Sequence, residues 1–137
     1  MSDSPTQTVL SFIDRINEHD EDKLADLMTD DHVFVDSLGN AIKGKEKMRA
    51  AWKSYFAFCP DYRIIHEDLL EGGSMVGAFG TAGGTVSASG ALPPENRWKI
   101  PAAWKAVVAR GLVREWRVYA DNKPVYDILA RGPKPRP

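Results

Sequence analysis

The stretch that decides the fold of this chain is RWKIPAAWKAVVARGLVREWRVYA, residues 97–120. Residues 97–109 alternate between apolar and polar side chains, which predicts a β-strand with one buried and one solvated face. Arg110-Gly111 is a tight-turn sequence, and residues 112–120 predict a second strand that returns beside the first. The predicted buried face of the first strand carries Trp98, Ile100, Ala102, Trp104, Ala106 and Val108.

Two more strands are predicted upstream of this hairpin, at residues 62–71 and 75–86, separated by Gly72-Gly73. Together the four segments form a meander of antiparallel strands. Pro101 indicates an edge position or a bulge in its strand, because proline cannot donate to a sheet ladder. Glycines within residues 75–86 permit sharp bending of the sheet and leave space above it.

The first half of the chain predicts three helices and one strand. Val9, Phe12, Ile13 and Ile16 have the spacing of an amphipathic helix, and Asp20 is placed to cap a short second helix. Residues 32–36 have strand character and end in a turn at residues 37–40. A third helix follows Gly44 and is ended by the proline at position 60. Helices followed by a meander indicate an α+β domain.

Composition and charge exclude several classes of function. The chain has 137 residues, enough for one domain, with 18 basic and 19 acidic residues and a net charge of -1. This balance offers no basic surface for nucleic acid or an anionic membrane.

Residues 1–7 lack the apolar run of a secretory signal, so we expect a soluble, cytoplasmic protein. Cys59 is expected to fill space in the core, and no Cys/His spacing resembles a zinc site, so we expect no metal or cofactor.

Two groups of residues, one at each end of the domain, carry a resemblance to a known family. They are FIDRIN at 12–17, Leu24, Leu27, Met28, Asp31, His32, Phe34, Asp36, Gly44, Trp52, LVREWRVYAD at 112–121 and Pro124-Val125. These residues resemble the nuclear transport factor 2-like superfamily, in particular its SnoaL-like polyketide cyclase and ketosteroid isomerase-like group. The similarity covers roughly residues 6–130, with 131–137 as a flexible C-terminal tail. It implies a cystatin-like α+β cone, with three N-terminal helices packed in the concave face of a strongly bent antiparallel sheet, and a homodimer formed through the sheet.

The resemblance also indicates which catalytic groups this chain keeps. Asp36 matches the general base of ketosteroid isomerases, but the oxyanion-binding tyrosine of helix one falls on Phe12 and the protonated aspartate falls on about Ala102. The acid that cyclases and epoxide hydrolases carry in the last strand falls on Val118 or Ala120. A steroid-type isomerase is therefore a poor fit, because hydrogen-bond donors to the oxyanion usually contribute on the order of 3–4 kcal/mol each.

The candidate catalytic residues are Asp36 and His32. With Phe34 they alternate on one face of the first strand, about 13 Å apart over four residues, so they would flank a ligand rather than touch each other. An apolar wall would desolvate the Asp36 carboxylate and make it a stronger proton acceptor. Alternatively, Asp36 accepts backbone hydrogen bonds in the turn at residues 37–40. His32 could equally lie at a solvated strand start.

Aromatic side chains supply a candidate pocket for a flat apolar ligand, or else fill the core or a dimer interface. Arg114 could anchor an anionic group or be exposed, and Asp121 could lie at the pocket mouth or cap the turn at residues 124–129. The leading hypothesis is an enzyme or binding protein for an apolar, cyclic or carbonyl-bearing metabolite, acting by proton transfer or water addition; the alternative is a non-catalytic ligand-binding or dimerisation module. The remaining candidate binding residues are Phe12, Phe34, Trp52, Phe56, Trp98, Trp104, Trp116 and Tyr119.

Overall fold

A computed structural model describes residues 4–133. Within them the chain forms four α-helices, six strands and one short 3-10 helix. The helices are α1 (Pro5–Asn17), α2 (Glu21–Asp26), α3 (Lys45–Phe58) and α4 (Lys123–Arg131), and the 3-10 helix is Pro94–Asn96. The strands are β1 (Met28–Val35), β2 (Ala41–Lys43), β3 (Arg63–Gly72), β4 (Met75–Thr85), β5 (Arg97–Ala109) and β6 (Leu112–Ala120).

The strands form one sheet in the order β2-β1-β6-β5-β4-β3, curled but not closed. The predicted α+β cone is confirmed, but the sheet is mixed rather than wholly antiparallel. β1 and β6 run parallel, with Phe34 opposite Trp116. A parallel pair needs a long crossover, and α3 together with the meander from β3 to β5 provides it.

The helices begin and end where local chemistry dictates. Ser4 and Gln7 form a capping box at the start of α1, and the predicted apolar stripe of α1 is buried. Asp20 caps α2 by accepting a hydrogen bond from the backbone N–H of Lys23 at 2.9 Å. Gly44, at φ 110°, allows the sharp entry into α3. α1 packs across strands β3 to β6, while α3 packs on β1, β2 and α2.

The predicted alternation of β5 is confirmed, since its even-numbered side chains from Trp98 to Val108 are all buried. The edge position suggested by Pro101 is wrong for the strand as a whole, because β5 lies between β4 and β6. The pairing with β6 begins only at Ala102, opposite Ala120, so Pro101 has a ladder partner on the β4 side alone, at Thr81. A residue without an N–H is tolerated there.

The C-terminal segment contains a helix that the sequence patterns did not predict. α4 occupies the region interpreted as a turn at residues 124–129, and it buries Val125 and Ile128. The predicted tail at residues 131–137 begins with the last residue of α4, and the carbonyl of Pro133 accepts a hydrogen bond from Asn96 Nδ2 at 2.7 Å. Residues 134–137 lie outside the described residues. None of the helices in residues 4–133 has the length and apolar character needed to cross a membrane.

Candidate functional site

A cavity of about 250 Å³ lies between α3 and the inner face of the curled sheet. Its wall is built from α3, the ends of β1 and β2, parts of β4 and β5, and the second half of β6. α3 packs on β1 and β2, and inner-face side chains of β4, β5 and β6 border the same space, so residues distant in sequence meet around one cavity. Most of these side chains are apolar, which is typical of a small-molecule site.

Four tryptophans line this cavity and leave it open. They are Trp52 on α3, Trp98 and Trp104 on β5, and Trp116 on β6, each between 1% and 6% exposed. Trp104 and Trp116 stack with ring centroids 6.2 Å apart. Phe34 on β1 meets the edge of Trp52 at 6.3 Å and completes this aromatic wall.

Asp36 lies at the cavity wall, directly after β1, and it also organises the turn that follows. Its Oδ1 accepts hydrogen bonds from the backbone N–H groups of Leu38 and Asn40, both at 2.9 Å. Its Oδ2 accepts one longer bond, from Asn40 Nδ2 at 3.2 Å. Both readings of Asp36 are therefore compatible with its position: Oδ1 is committed to the turn, whereas Oδ2 retains an acceptor site.

His32 is not part of the cavity wall. It is fully buried in the core, and its Nδ1 donates to the carbonyl of Val113 at 2.7 Å. Nε2 has no hydrogen-bond partner among the described residues. Burial lowers the pKa of the His32 imidazole, which is thus neutral near pH 7. β1 begins at Met28, so His32 lies within the strand rather than at a solvated start, and α1 covers it, with the Phe12 ring 6.0 Å away.

Phe12 and Phe56 are also core residues behind the wall rather than lining residues. Phe12 packs on Trp116, with ring centroids 4.9 Å apart, and supports the indole from the α1 side. Phe56 packs on Trp52 at 5.5 Å and on His19 at 4.9 Å. Both hold a lining tryptophan in place.

Arg114 is exposed and does not reach the cavity. Between Val107 and Val108 the pairing of β5 with β6 skips one residue of β6, and that extra residue is Arg114. A bulge of this kind resets the two-residue alternation. Val113 and Trp116 are therefore both buried, and the prediction that Arg114 shares a face with Trp116 is wrong.

Tyr119 and Asp121 also lie outside the cavity. Tyr119 is 49% exposed on the outer face of the sheet, where the Arg117 guanidinium lies 5.2 Å from its ring centroid. Asp121 is exposed and accepts a hydrogen bond from the backbone N–H of Lys123 at 3.0 Å, at the start of α4. The N-cap residue of α4 is Asn122, without a side-chain cap hydrogen bond, so Asp121 precedes the cap and holds the entry into the helix rather than capping a turn.

Four polar lining residues were not singled out by the sequence patterns: Ser37, Tyr55, Tyr62 and Asn122. Asn122 Nδ2 donates to Ser37 Oγ at 2.8 Å across 85 positions, a contact that no local pattern could reveal. Tyr55 belongs to the apolar stripe of α3 beside Trp52, and that stripe was the only available signal for it. Tyr62 precedes β3.

The cavity has little charge. Among the described lining residues, Asp36 is the only one with a charged side chain. Burial raises the pKa of the phenols of Tyr55 and Tyr62 well above the usual range, so both are neutral donors. Within residues 4–133 no cluster of three or more His, Cys, Asp or Glu side chains could hold a metal ion. An uncharged, mostly apolar ligand suits such a wall.

Several solved structures share this fold. A candidate SnoaL-like polyketide cyclase from Shewanella putrefaciens CN-32 is 20% identical, with a TM-score of 0.78 over 93% of this chain and 86% of that one. A protein with a ketosteroid isomerase-like fold from Catenulispora acidiphila, solved with trimethylamine, is 18% identical, with a TM-score of 0.76 over 93% of both chains. An LEH-like epoxide hydrolase from M. tuberculosis is 17% identical, with a TM-score of 0.76 over 93% of this chain and 90% of that one.

At these identities the structures establish the fold alone. No protein of curated function matches this chain in sequence. The family model of the SnoaL-like domain, however, matches residues 9–123, from within α1 to the first residue of α4. That span contains all six strands and every residue that lines the cavity. The chain therefore belongs to the SnoaL-like domain family.

Proposed function

We propose that this protein binds an apolar, uncharged metabolite in the cavity and acts on it by proton transfer or water addition, with Asp36 as general base. The observation that carries the proposal is an open cavity that contains Asp36, lined by tryptophans that do not fill it. A closed, tryptophan-filled core would instead favour a module without a ligand.

The chemistry follows from the position of the Asp36 carboxylate. Oδ1 is fixed by two backbone N–H groups, so the carboxylate has one orientation, and Oδ2 is left with a free acceptor site. A fixed carboxylate beside an apolar ligand can remove a proton from a carbon next to a carbonyl, or from a water that adds to the ligand. Two of the structural relatives, a candidate polyketide cyclase and an LEH-like epoxide hydrolase, are named for reactions of these two kinds.

The test of catalysis uses 2-tetralone, a small cyclic ketone with acidic α-protons. In D₂O, a base that removes a proton from C1 leads to deuterium at that carbon, which NMR follows directly. We expect the protein to accelerate this exchange above the buffer rate, and Asp36→Asn to lose at least about 100-fold of the acceleration. Asparagine keeps the Oδ1 acceptor for the backbone N–H groups of Leu38 and Asn40, so we expect the turn to be retained. Exchange that is unchanged in Asp36→Asn would remove Asp36 from any catalytic role.

A matched control separates charge at the site from charge elsewhere. Asp121→Asn makes the same chemical change at an exposed residue outside the cavity, and it should leave exchange unaltered.

The location of binding is tested by Val118→Phe, which places a ring in the cavity wall, against Val107→Phe on the outer face of the same hairpin. We expect quenching of tryptophan fluorescence by 2-tetralone to be lost only in Val118→Phe.

The second candidate function is ligand binding without catalysis. It is favoured by the apolar residues at the positions where the family resemblance implies acids or donors: Ala102, Val118 and Ala120 line the cavity as apolar groups. Saturable binding of 2-tetralone, with exchange no faster than in buffer, would support this function over the first.

The outer face of the sheet supports the expected homodimer, which we also propose. Phe79 on β4, Ala103 on β5 and Tyr119 on β6 lie in one row across three strands. Phe79 and Tyr119 are 43% and 49% exposed, and Leu70 nearby is 68% exposed. Exposed apolar side chains on adjacent strands are typical of an interface. Light scattering at micromolar concentration should give twice the chain mass, and a monomer in the Phe79→Lys variant.

A further inference from the structure

The part of the cavity farthest along β5 from Asp36 carries two phenol groups. Tyr55 lies in the last turns of α3, and Tyr62 lies between α3 and β3, after the chain has turned at Cys59. Both line the cavity, and their rings are perpendicular with centroids 5.0 Å apart. Trp52 packs against both rings, at 6.0 Å and 6.4 Å, so the pair is held by a rigid aromatic neighbour.

The two hydroxyl groups are available as hydrogen-bond donors. Burial is the main cause that raises both phenol pKa values, and no hydrogen bond within residues 4–133 contributes to either shift. Within residues 4–133, the indole N–H groups of Trp52, Trp104 and Trp116 are inaccessible to solvent and have no hydrogen-bond partner, so they are not available to a ligand. The phenol oxygens of Tyr55 and Tyr62 are not enclosed in this way. A buried tyrosine hydroxyl normally has a hydrogen-bond partner. Here an acceptor on a ligand would provide it.

The position of the pair sets the shape of that ligand. Tyr62 packs against Trp98, with ring centroids 6.0 Å apart, near the start of β5. Ala102 lies four residues further along β5, roughly 13 Å away, and pairs with Ala120 near the Asn122 end of the cavity. The side chains between these points on the inner face are apolar. Polar groups therefore lie in two separate places, one at the phenols and one near Asp36.

The geometry points to Tyr55 and Tyr62 as a paired hydrogen-bond donor site for the carbonyl or ether oxygen of an uncharged ligand, at the end of the cavity away from Asp36. This inference rests on the proposed function, because it names a second group of the ligand, distinct from the one beside Asp36, that the same cavity recognises. Since the described lining residues include no basic side chain, a carboxylate or phosphate is not expected in the place of the neutral oxygen.

A matched pair of probes tests the site. 2-Acetylnaphthalene and 2-isopropenylnaphthalene have nearly the same shape, but only the first has a carbonyl oxygen. We expect the wild type to bind the ketone about tenfold more tightly than the alkene, the magnitude of one or two hydrogen bonds to a carbonyl. Tyr55→Phe and Tyr62→Phe remove one hydroxyl each without changing the ring. Each should weaken ketone binding by about 3- to 10-fold and leave alkene binding unchanged.

Infrared spectra of the bound ketone add a readout that packing alone would not move. The carbonyl stretch should shift to lower frequency in the wild type and return toward its apolar-solvent value in the double variant. Tyr126→Phe, an exposed tyrosine on α4 outside the cavity, is the control that should change nothing. Equal binding of both probes by the wild type, or unchanged ketone binding in both phenylalanine variants, would overturn the inference and leave the proposed function standing. Binding of neither probe would overturn both.

Discussion

Gly80 on β4 offers a direct test of how the sheet acquires the bend that opens the cavity. It pairs with His66 on β3, at the point where the register shifts by one residue between His66 and Asp68. An added Cβ at Gly80 would lie well inside van der Waals contact with the carbonyl oxygen of Ile65. It would also lie 2.9 Å from the Ile65 carbonyl carbon and 3.0 Å from His66 Cα. These are backbone atoms, so no side-chain rotation can relieve the clash.

The cost of Gly80→Ala follows from this geometry. Overpacking in a well-packed region typically costs 1–3 kcal/mol, and a backbone clash belongs at the upper end, about 3 kcal/mol. At about 4 °C per kcal/mol for a chain of this size, we expect Tm to fall by roughly 12 °C. Urea unfolding followed by the fluorescence of the four buried tryptophans measures the same free energy of unfolding.

Gly77→Ala is the matched control on the same strand. Its added Cβ would meet only the ring of Phe79, at 3.3 Å and 3.4 Å, and this side chain is 43% exposed and can move. We expect a change within about 0.5 kcal/mol of the wild type, because alanine also restricts the unfolded chain. If Gly80→Ala were as stable as Gly77→Ala, the close approach of β3 at this bulge would not be what requires a glycine.

Two further predictions concern buried titratable groups. Burial lowers the pKa of His32, so the unfolded chain binds the proton more readily. The contribution of the buried, neutral His32 side chain to the free energy of unfolding is thus present above about pH 6.5 and is lost as the pH falls below that value. Between pH 7.5 and 5 the wild type should lose more unfolding free energy than His32→Asn, and parallel profiles would contradict this. Burial raises the pKa of the Cys59 thiol to about 12, so iodoacetamide at pH 8 should label it only after urea unfolding. Rapid labelling of the folded chain would count against a buried, protonated thiol.

The local patterns that predicted the fold were those in which one periodicity persists over many residues. The two-residue alternation of β5 and the stripe of α1 each require one buried face, and both faces are buried as predicted. The parallel pairing of β1 with β6 left no local pattern, because it joins segments about eighty positions apart. α4 was missed because its opening lysine and proline also suit a turn, and only burial of Val125 and Ile128 shows that the segment packs as a helix.

For the candidate site, too, the sequence predicted some properties and missed others. The sequence indicated that Asp36, Phe34 and the four tryptophans share inner faces, because strand and helix periods assign a face without reference to depth. Depth is a tertiary property: α1 covers His32, whereas Phe34 on the same strand borders the cavity. The bulge at Arg114 reverses a face that simple alternation would have assigned to the cavity.

By itself, the sequence determined the fold class, the family and the apolar character of the inner face, since these depend on periodicity and composition along the chain. Only the tertiary structure decided that the tryptophans surround a space, that Ser37 meets Asn122, and that Tyr55 and Tyr62 stand together on its wall. The reason is physical. The curl of the sheet sets the distance between β5 and α3, and that distance arises from packing many distant residues at once, which no single segment encodes.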